Sequence, residues 1–337
     1  MRILLDVMGG DNPPEELVKG GVLMAHRSGA QIVFAGDPDT LRTALAAQGE
    51  KPGDRFEILP TSQVVGMSEA PVTAVRGKKD SSLVRGLQAL RDRQVDAFVS
   101  PGNTGAIVAG SIFVLGRLEG IPRPGLLAAL PTVTGQDLYV VDVGANSDST
   151  PDHLLHFGLM GAAYARDVAG IPDPKIGLLN IGSEPGKGNR LIGNAYALLE
   201  ESPLPFVGNV EAHHVLDERP VDVVVCDGFI GNVFLKSVEG GVAALARLFK
   251  RTIRGRVVAM LGALLMSGSI AQVRGTMSYQ RRGGAPLLGV DGVVVIAHGR
   301  SDALAIGSAL DVARSQVEAG LLDRFSHGVS GWRSHAD

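Results

Sequence analysis

Short apolar runs alternate along the chain with longer stretches in which apolar residues recur at helical spacing. Several of these runs are apolar at consecutive positions, which is typical of strands covered on both faces. The predicted strands are 3–7, 31–35, 56–59, 95–99, 126–130, 138–143, 175–181, 221–226 and 293–297. The predicted helices are 15–27, 38–47, 82–93, 104–115, 151–168, 191–200, 232–254 and 301–318. This alternation predicts an α/β protein, a layered sheet with helices on both faces.

Loops that mix glycine with Asn, Asp or Lys follow four of the predicted strands. They are the segments 100–105, 142–146, 180–189 and 226–232. In an open parallel sheet, such loops lie together at the carboxyl ends of the strands. Glycine lets the backbone approach a ligand, and helix N-termini favour anions. We therefore expect a phosphate site at one edge of the sheet, surrounded by backbone amides, carboxamides and one lysine.

The lysine is Lys187, which lies between Gly186 and Gly188. Its ammonium can reach an anion held by neighbouring amides, as in other glycine-rich anion sites. The alternative is a mobile surface lysine. A nucleotide P-loop is excluded, because the spacing from Gly182 to Lys187 is one residue short and Gly188 replaces the Ser or Thr that holds magnesium.

Further candidates follow the other strands. Asp227 and Asn232 flank a short glycine-containing turn, and Lys236 lies one helical turn further on. The alternative is an aspartate in a turn and an asparagine that caps a helix. The same alternative applies to Asn103 and Asn146, and the recurrence of these residues after strands favours a shared site.

A basic loop comes before one predicted helix. Arg76, Lys78 and Lys79 precede the segment 80–82, which includes Ser81. The loop is either a phosphate-binding loop at a helix N-terminus or a solvated run of charge.

The segment between Glu239 and Asp291 contains no acidic residue. An apolar stripe at helical spacing runs beside a basic face, which consists of Arg247, Lys250, Arg251 and Arg254. The ordinary interpretation is a core helix with a solvated charged face. The alternatives are a surface for an acidic partner or anionic lipid, and a dimer contact for part of the apolar stripe.

The net charge and the cysteine count limit the possible classes of protein. The net charge of −3 gives no reason to expect nucleic acid binding. The single cysteine, Cys226, fits a reducing compartment. We expect a cytoplasmic protein without a signal peptide, with no metal site and no cofactor.

Taken together, these residues resemble the PlsX family, the acyl-ACP:phosphate acyltransferases of bacterial phospholipid synthesis. The matching segments, in family order, are 6–11, 78–82, 100–106, 142–146, 178–189, 223–236, 279, 283–289 and 297–302. The resemblance implies a three-layer α/β/α fold, Rossmann-like and mixed, similar to the isocitrate/isopropylmalate dehydrogenase type. Two subdomains would share the sheet: residues 1–100 with 290–337, and residues 101–289 with the basic amphipathic helical segment 239–278.

The resemblance also implies a reaction. A fatty acyl group moves from the acyl carrier protein thioester to inorganic phosphate, and a membrane glycerol-3-phosphate acyltransferase uses the acyl phosphate. Family members are homodimers that associate peripherally with the inner face of the membrane. Two alternatives stay open: a phosphotransacetylase-type enzyme acting on acyl-CoA, and a non-catalytic membrane-docking scaffold of lipid synthesis.

Phosphate itself performs the attack in such a reaction, so the protein supplies orientation and charge. Lys187, Asp227 and Asn232 are the expected catalytic residues. The expected substrate-binding residues are Asn103, Thr104, Gly105, Asn146, Gly182, Gly186, Gly188, Gly228, Lys236, Lys79, Ser81 and His298. His298 is a candidate acid, with a core histidine as the alternative. The basic face would contact the carrier protein or the membrane.

Overall fold

The computed structural model describes residues 1–12, 14–217, 219–276 and 282–329. These residues form a sheet of 11 strands with helices on both faces. The strands are β1 (Arg2–Asp6), β2 (Gln31–Gly36), β3 (Phe56–Pro60), β4 (Ala97–Ser100), β5 (Gly125–Pro131), β6 (Asp137–Val141), β7 (Ile176–Asn180), β8 (Phe206–Glu211), β9 (Val223–Val225), β10 (Ala285–Leu288) and β11 (Val293–Ile296). The helices are α1 (Pro14–Ser28), α2 (Pro38–Ala47), α3 (Pro71–Gly77), α4 (Ser82–Arg91), α5 (Thr104–Val114), α6 (Pro151–Asp167), α7 (Arg190–Glu200), α8 (Ala212–Val215), α9 (Gly228–Ile253), α10 (Val257–Leu265), α11 (Ser267–Thr276), α12 (Ala303–Glu318) and α13 (Leu321–Val329). The predicted three-layer α/β/α architecture is confirmed.

Burial on both faces of the sheet explains the consecutive apolar positions. In β1, Ile3 and Leu5 pack with α1, α2 and α12 on one face, and Leu4 packs with α4 and α5 on the other. All three side chains are fully buried. The core on the Leu4 side continues from β1 to β9, so it joins the two halves of the sheet. On the opposite face, α6 and α7 cover the second half.

The strands of the two halves run in opposite directions. The order across the sheet is β3-β2-β1-β4-β11-β10-β5-β6-β9-β7-β8. Strands β1 to β4 and β11 are mutually parallel, and β10 is antiparallel to both β11 and β5. Because β5 and β6 are also antiparallel, the parallel group β6, β9, β7 and β8 points opposite to β1 and β4.

This reversal corrects one expectation. The four glycine-containing loops do not meet at one edge of the sheet: those after β6, β7 and β9 share one edge, and segment 100–105 after β4 lies at the opposite edge. A five-residue strand is about 17 Å long, so the two edges are well separated. The prediction was wrong because it assumed that all the strands were parallel.

All nine predicted strands are present, and the sequence pattern missed β8 and β10. Gly208 interrupts β8, and Pro286 lies in β10, so neither segment has the pattern of a regular strand. Segment 285–296, which contains β10 and β11, lies between the two halves of the sheet. The division of the chain into two subdomains that share this sheet, residues 1–100 with 290–337 and residues 101–289, stays a prediction. Tyr279 and residues 277–278 and 330–337 lie outside the described residues.

Helix α9 is attached to the rest of the fold by its first turns. Among its 26 residues, only Gly228 and Gly231 are buried, and both lie against the loop after β6. A Cβ atom added at Gly231 would overlap the carbonyl oxygen of Asp142 and lie 2.8 Å from Cys226 Sγ. By length and composition alone, α9 could cross a membrane, and 6% of its most apolar window is buried.

We expect Gly231→Ala to lower the free energy of unfolding by about 1–3 kcal/mol, because the added methyl group has no space beside Asp142. The measurement is the thermal unfolding midpoint. Gly240→Ala in the same helix is the matched control, since a Cβ there meets no atom within 4 Å. That control should be neutral or stabilising. Equal midpoints for the two variants would contradict the packing described here.

Candidate active site

Three of the predicted loops converge on neighbouring strands. We call the segments 142–146, 180–189 and 226–232, which follow β6, β7 and β9, the three-loop site. Strand β9 lies between β6 and β7, so the three loops leave the sheet side by side. A Cβ atom at Gly144 would lie 3.6 Å from the side chain of Asn232, which places the first and third loops in contact.

A buried carboxylate shapes the first loop. Asp142 is fully buried, and its Oδ1 accepts hydrogen bonds from the backbone N–H groups of Leu126 (3.0 Å), Gly144 (3.0 Å) and Ala145 (2.9 Å). Its Oδ2 accepts from the backbone N–H and the side-chain Nδ2 of Asn146, both at 2.8 Å. Burial raises the pKa of Asp142, and these hydrogen bonds oppose the shift. The sequence pattern included Asp142 in a motif and missed this role.

The side chain of Asn146 is largely committed to this loop. Its Nδ2 donates to Asp142 Oδ2 and to the carbonyl oxygen of Pro124, both at 2.8 Å. Both carboxamide N–H groups are therefore used within the protein. Only the Oδ1 acceptor of Asn146 is left for a substrate, so its predicted orienting role would be limited to accepting a hydrogen bond.

The third loop ends at the start of α9. Asp227 is the N-cap, and its Oδ1 accepts from the backbone N–H groups of Phe229 (3.1 Å) and Ile230 (3.0 Å). The capping alternative therefore holds for Asp227, and its Oδ2 has no hydrogen-bond partner among the described residues. Asn232 is exposed and makes no hydrogen bond within the described part of the chain. Lys236 is paired with Glu239 at 2.8 Å.

The second loop carries Lys187. The side chain is exposed, its stem lies over Gly182, and its ammonium makes no ion pair with any residue that the structure describes. Gly188 has a φ of +96°, and a Cβ there would lie 2.7 Å from Asn180 Oδ1, so the turn requires glycine. Gly186 is exposed. Lys187 and Asn232 are thus the two predicted catalytic residues whose side chains have no polar partner among the residues that the structure describes.

The opposite edge of the sheet has a similar aspartate. Asp6 ends β1, and its Oδ1 accepts from the backbone N–H groups of Met8 (3.1 Å) and Gly9 (3.2 Å), while Oδ2 accepts from Ser100 Oγ (2.7 Å). Burial raises the pKa of Asp6, and hydrogen bonds from Ser82 and Ser100 oppose that shift. We call this region, with segments 6–11, 79–82, 100–105 and 298–302, the opposite loop cluster.

The remaining predicted substrate-binding residues lie in the opposite loop cluster. Asn103 caps α5 through Ala106 N (3.1 Å), and its Nδ2 donates to the carbonyl oxygens of Met67 (2.9 Å) and Glu69 (3.1 Å). This carboxamide has a structural role, because all its groups are engaged. Thr104 is exposed next to it, and Gly105 lies against Pro71.

Three more of these residues make local contacts. Ser81 caps α4 through Val84 N (3.3 Å) and donates to the carbonyl oxygen of Lys78 (2.8 Å). Lys79 Nζ lies 3.5 Å from the carbonyl oxygen of Val75. His298 accepts a hydrogen bond from the backbone of Arg300 at 3.1 Å. These residues lie at the edge of the sheet opposite the three-loop site that carries Lys187.

The basic face predicted for the acid-free segment is present on α9. Arg247, Lys250, Arg251 and Arg254 are all exposed. Large apolar side chains beside them are exposed as well, among them Leu245 (68%), Val258 (84%) and Leu265 (88%). The core-helix interpretation is therefore wrong for this segment. In the described residues, no cluster of three His, Cys, Asp or Glu side chains could hold a metal ion.

Comparisons with known proteins identify the family of this chain. A family model described as fatty acid synthesis protein matches residues 1–324. A phosphate acyltransferase from Desulfitobacterium hafniense is 44% identical over 323 residues, covering 96% of each chain. One from Geobacillus thermodenitrificans is 45% identical over 318 residues, covering 94% of this chain and 95% of that protein.

Solved structures agree on the fold. A phosphotransacetylase from Streptococcus pyogenes superposes with a TM-score of 0.65 at 17% identity, covering 94% of each chain. A 4-hydroxythreonine-4-phosphate dehydrogenase from Klebsiella pneumoniae gives a TM-score of 0.55 at 14% identity, covering 94% of this chain and 99% of that one. The full-length match to the family model and its relatives shows that this chain belongs to the fatty acid synthesis protein family, the PlsX family that its ordered motifs indicate.

Proposed function

We propose that this protein is a phosphate acyltransferase that moves a long-chain fatty acyl group from acyl carrier protein to inorganic phosphate. Membership in the family and the names of its curated relatives support the enzyme class. The observation that carries the site assignment is the presence of a free Lys187 ammonium and a free Asn232 carboxamide on loops at the same edge of the sheet.

The proposed chemistry needs no nucleophile from the protein. An oxygen of hydrogen phosphate attacks the thioester carbonyl carbon, a C–O bond forms, and the C–S bond breaks. The phosphate proton ends on the departing thiol, so the products are acyl phosphate and the free carrier thiol. The enzyme must hold two substrates in line and stabilise negative charge in the transition state.

The three-loop site has groups suited to both tasks. Lys187 supplies a positive charge to phosphate or to the developing oxyanion. Asn232 offers a carboxamide that can orient phosphate or polarise the thioester carbonyl. Asp227 Oδ2 is the proposed acceptor of the phosphate proton, while Oδ1 keeps the helix cap. Gly182 lies under the stem of Lys187, and Gly228 is buried against the loop after β6, so these two glycines serve the packing of the site.

The segment α9–α10 suits the partners of such a reaction. We propose that its basic face and exposed apolar side chains bind the anionic inner face of the cell membrane, with the protein otherwise in the cytoplasm. Acyl phosphate would then reach a membrane glycerol-3-phosphate acyltransferase directly. The acidic carrier protein is the competing partner for the basic face, and a homodimer contact is the competing use of the apolar side chains.

Lys187→Ala should lower the rate of phosphate-dependent thiol release about 100- to 1,000-fold, because one charge-stabilising group is lost from the transition state. The assay combines long-chain acyl carrier protein, phosphate and enzyme, and traps acyl phosphate with hydroxylamine. The melting temperature should not change, since the side chain is exposed. Lys175→Ala, at the other end of β7, is the control.

A wild-type rate for Lys187→Ala would remove this lysine from the site. Rapid turnover of acetyl-CoA without turnover of acyl carrier protein would instead favour a phosphotransacetylase. Absence of any acyl phosphate, together with intact binding to lipid vesicles, would favour the scaffold alternative.

Charge reversal at Lys250 and Arg251 (K250E/R251E) should weaken binding to vesicles that contain an anionic phospholipid. Because each lost contact is worth about 1 kcal/mol, the vesicle-binding constant should fall about 30-fold. Added salt should weaken vesicle binding by the wild type in the same direction. Co-flotation measures the binding. K51E/R55E, which changes the net charge equally on another exposed surface, is the control.

Equal flotation of both double variants and the wild type would show that this face does not bind lipid. If only the affinity for acyl carrier protein decreases, the basic face serves the carrier instead.

A further inference from the structure

The loop that carries Lys187 is held by two carboxamides, one from its first residue and one from the neighbouring strand β8. Asn180, the last residue of β7, donates from Nδ2 to the carbonyl oxygen of Lys187 at 3.0 Å. Asn209 in β8 donates from Nδ2 to the carbonyl oxygen of Glu184 at 2.9 Å. Gly182 is the only buried residue in the segment 181–190, so packing contributes little to the shape of this loop.

A bulge in β8 directs Asn209 toward the loop. Ile176 pairs with Phe206 and Leu178 pairs with Asn209, so β8 has one extra residue between these pairs. Gly208 has a φ of +99° at this point. An extra residue turns the following side chains to the opposite face of the sheet.

The new register determines which side Asn209 faces. Paired residues on neighbouring strands point to the same side, so Asn209 shares the side of Leu178. Leu178 packs with Ile192 and Ala195 of α7 on that side. The Lys187 loop leads into α7, which explains why Asn209 reaches Glu184.

The burial of Asn209 indicates a role beyond stability. The residue is 7% exposed, and its buried Oδ1 has no hydrogen-bond partner among the described residues. A buried polar atom without a partner destabilises a fold, and an apolar side chain would avoid this cost. Within the described part of the chain, the one hydrogen bond of the Asn209 side chain goes to the loop that carries Lys187.

We propose that Asn209, with Asn180, is a positioning residue that fixes the backbone of the Lys187 loop and so places the ammonium for the reaction. This inference rests on the proposed function, because Lys187 acts there on phosphate or the oxyanion. The bulge at Gly208 then belongs to the construction of the site, since without it Asn209 would face away from the loop.

The test compares Asn209→Leu, which keeps the approximate size of the side chain and removes the donor, with Asn194→Leu at an exposed position of α7. For Asn209→Leu we expect kcat for acyl phosphate formation to fall about tenfold to 100-fold, since small displacements of a catalytic group have such effects. The KM for acyl carrier protein should stay near the wild-type value. Hydrogen exchange of segment 182–188, followed from milliseconds to seconds, should become faster.

Asn180→Ser provides a second variant in case Asn209→Leu does not fold, because Asn180 lies at the rim and its replacement opens no cavity in the core. It should also lower kcat and speed exchange in the loop. A wild-type kcat, or a decrease in kcat without faster loop exchange, would overturn the proposal whatever happens to the melting temperature. If the wild type forms no acyl phosphate, the proposed function fails, and the exchange comparison alone decides whether these carboxamides hold the loop.

Discussion

The buried carboxylate of Asp142 is the constraint on which the candidate site depends. A carboxylate without water needs hydrogen-bond donors, and Asp142 obtains them from the backbone of the loop that follows it and from Asn146. The wrapped loop lies so close to α9 that only glycine fits at Gly228 and Gly231. The position of α9, and with it that of Asn232, therefore follows from the solvation of one charge.

The same arrangement occurs in the first half of the chain. Asp6 ends β1 as Asp142 follows β6, and each accepts hydrogen bonds from the backbone N–H groups two and three residues later. Each also lies against a glycine of a neighbouring loop, Gly102 in one case and Gly228 in the other. The antiparallel strands β10 and β5 between the halves turn these two similar regions to opposite edges of one sheet. A continuous core nevertheless joins the halves on one face.

Helix α9 connects the candidate site with the segment proposed to meet the membrane. Its 26 residues span about 39 Å at 1.5 Å per residue. One end carries Asn232 beside the loop after β6, and the other carries Lys250, Arg251 and exposed apolar side chains. One helix thus links the proposed reaction site to the proposed lipid-binding surface. This arrangement suits an enzyme whose product is amphiphilic, and it supports the proposed function.

Hydrophobic periodicity was sufficient to predict the strands with regular apolar runs, because a strand buried on both faces has apolar residues at consecutive positions. The glycine-containing loops, a separate local pattern, pointed to Lys187 and Asn232, whose role in the site stays a prediction. Hydrophobic periodicity could not predict β8 or β10, since a bulge and a proline disrupt their patterns. Nor could it show which carboxamides were free: Asn103, Asn146 and Asn232 look alike in sequence, and only their distant hydrogen-bond partners distinguish them. The sequence alone determined the family and the layered fold, whereas the tertiary structure decided which loops meet, because strand direction depends on pairing between segments far apart in the chain.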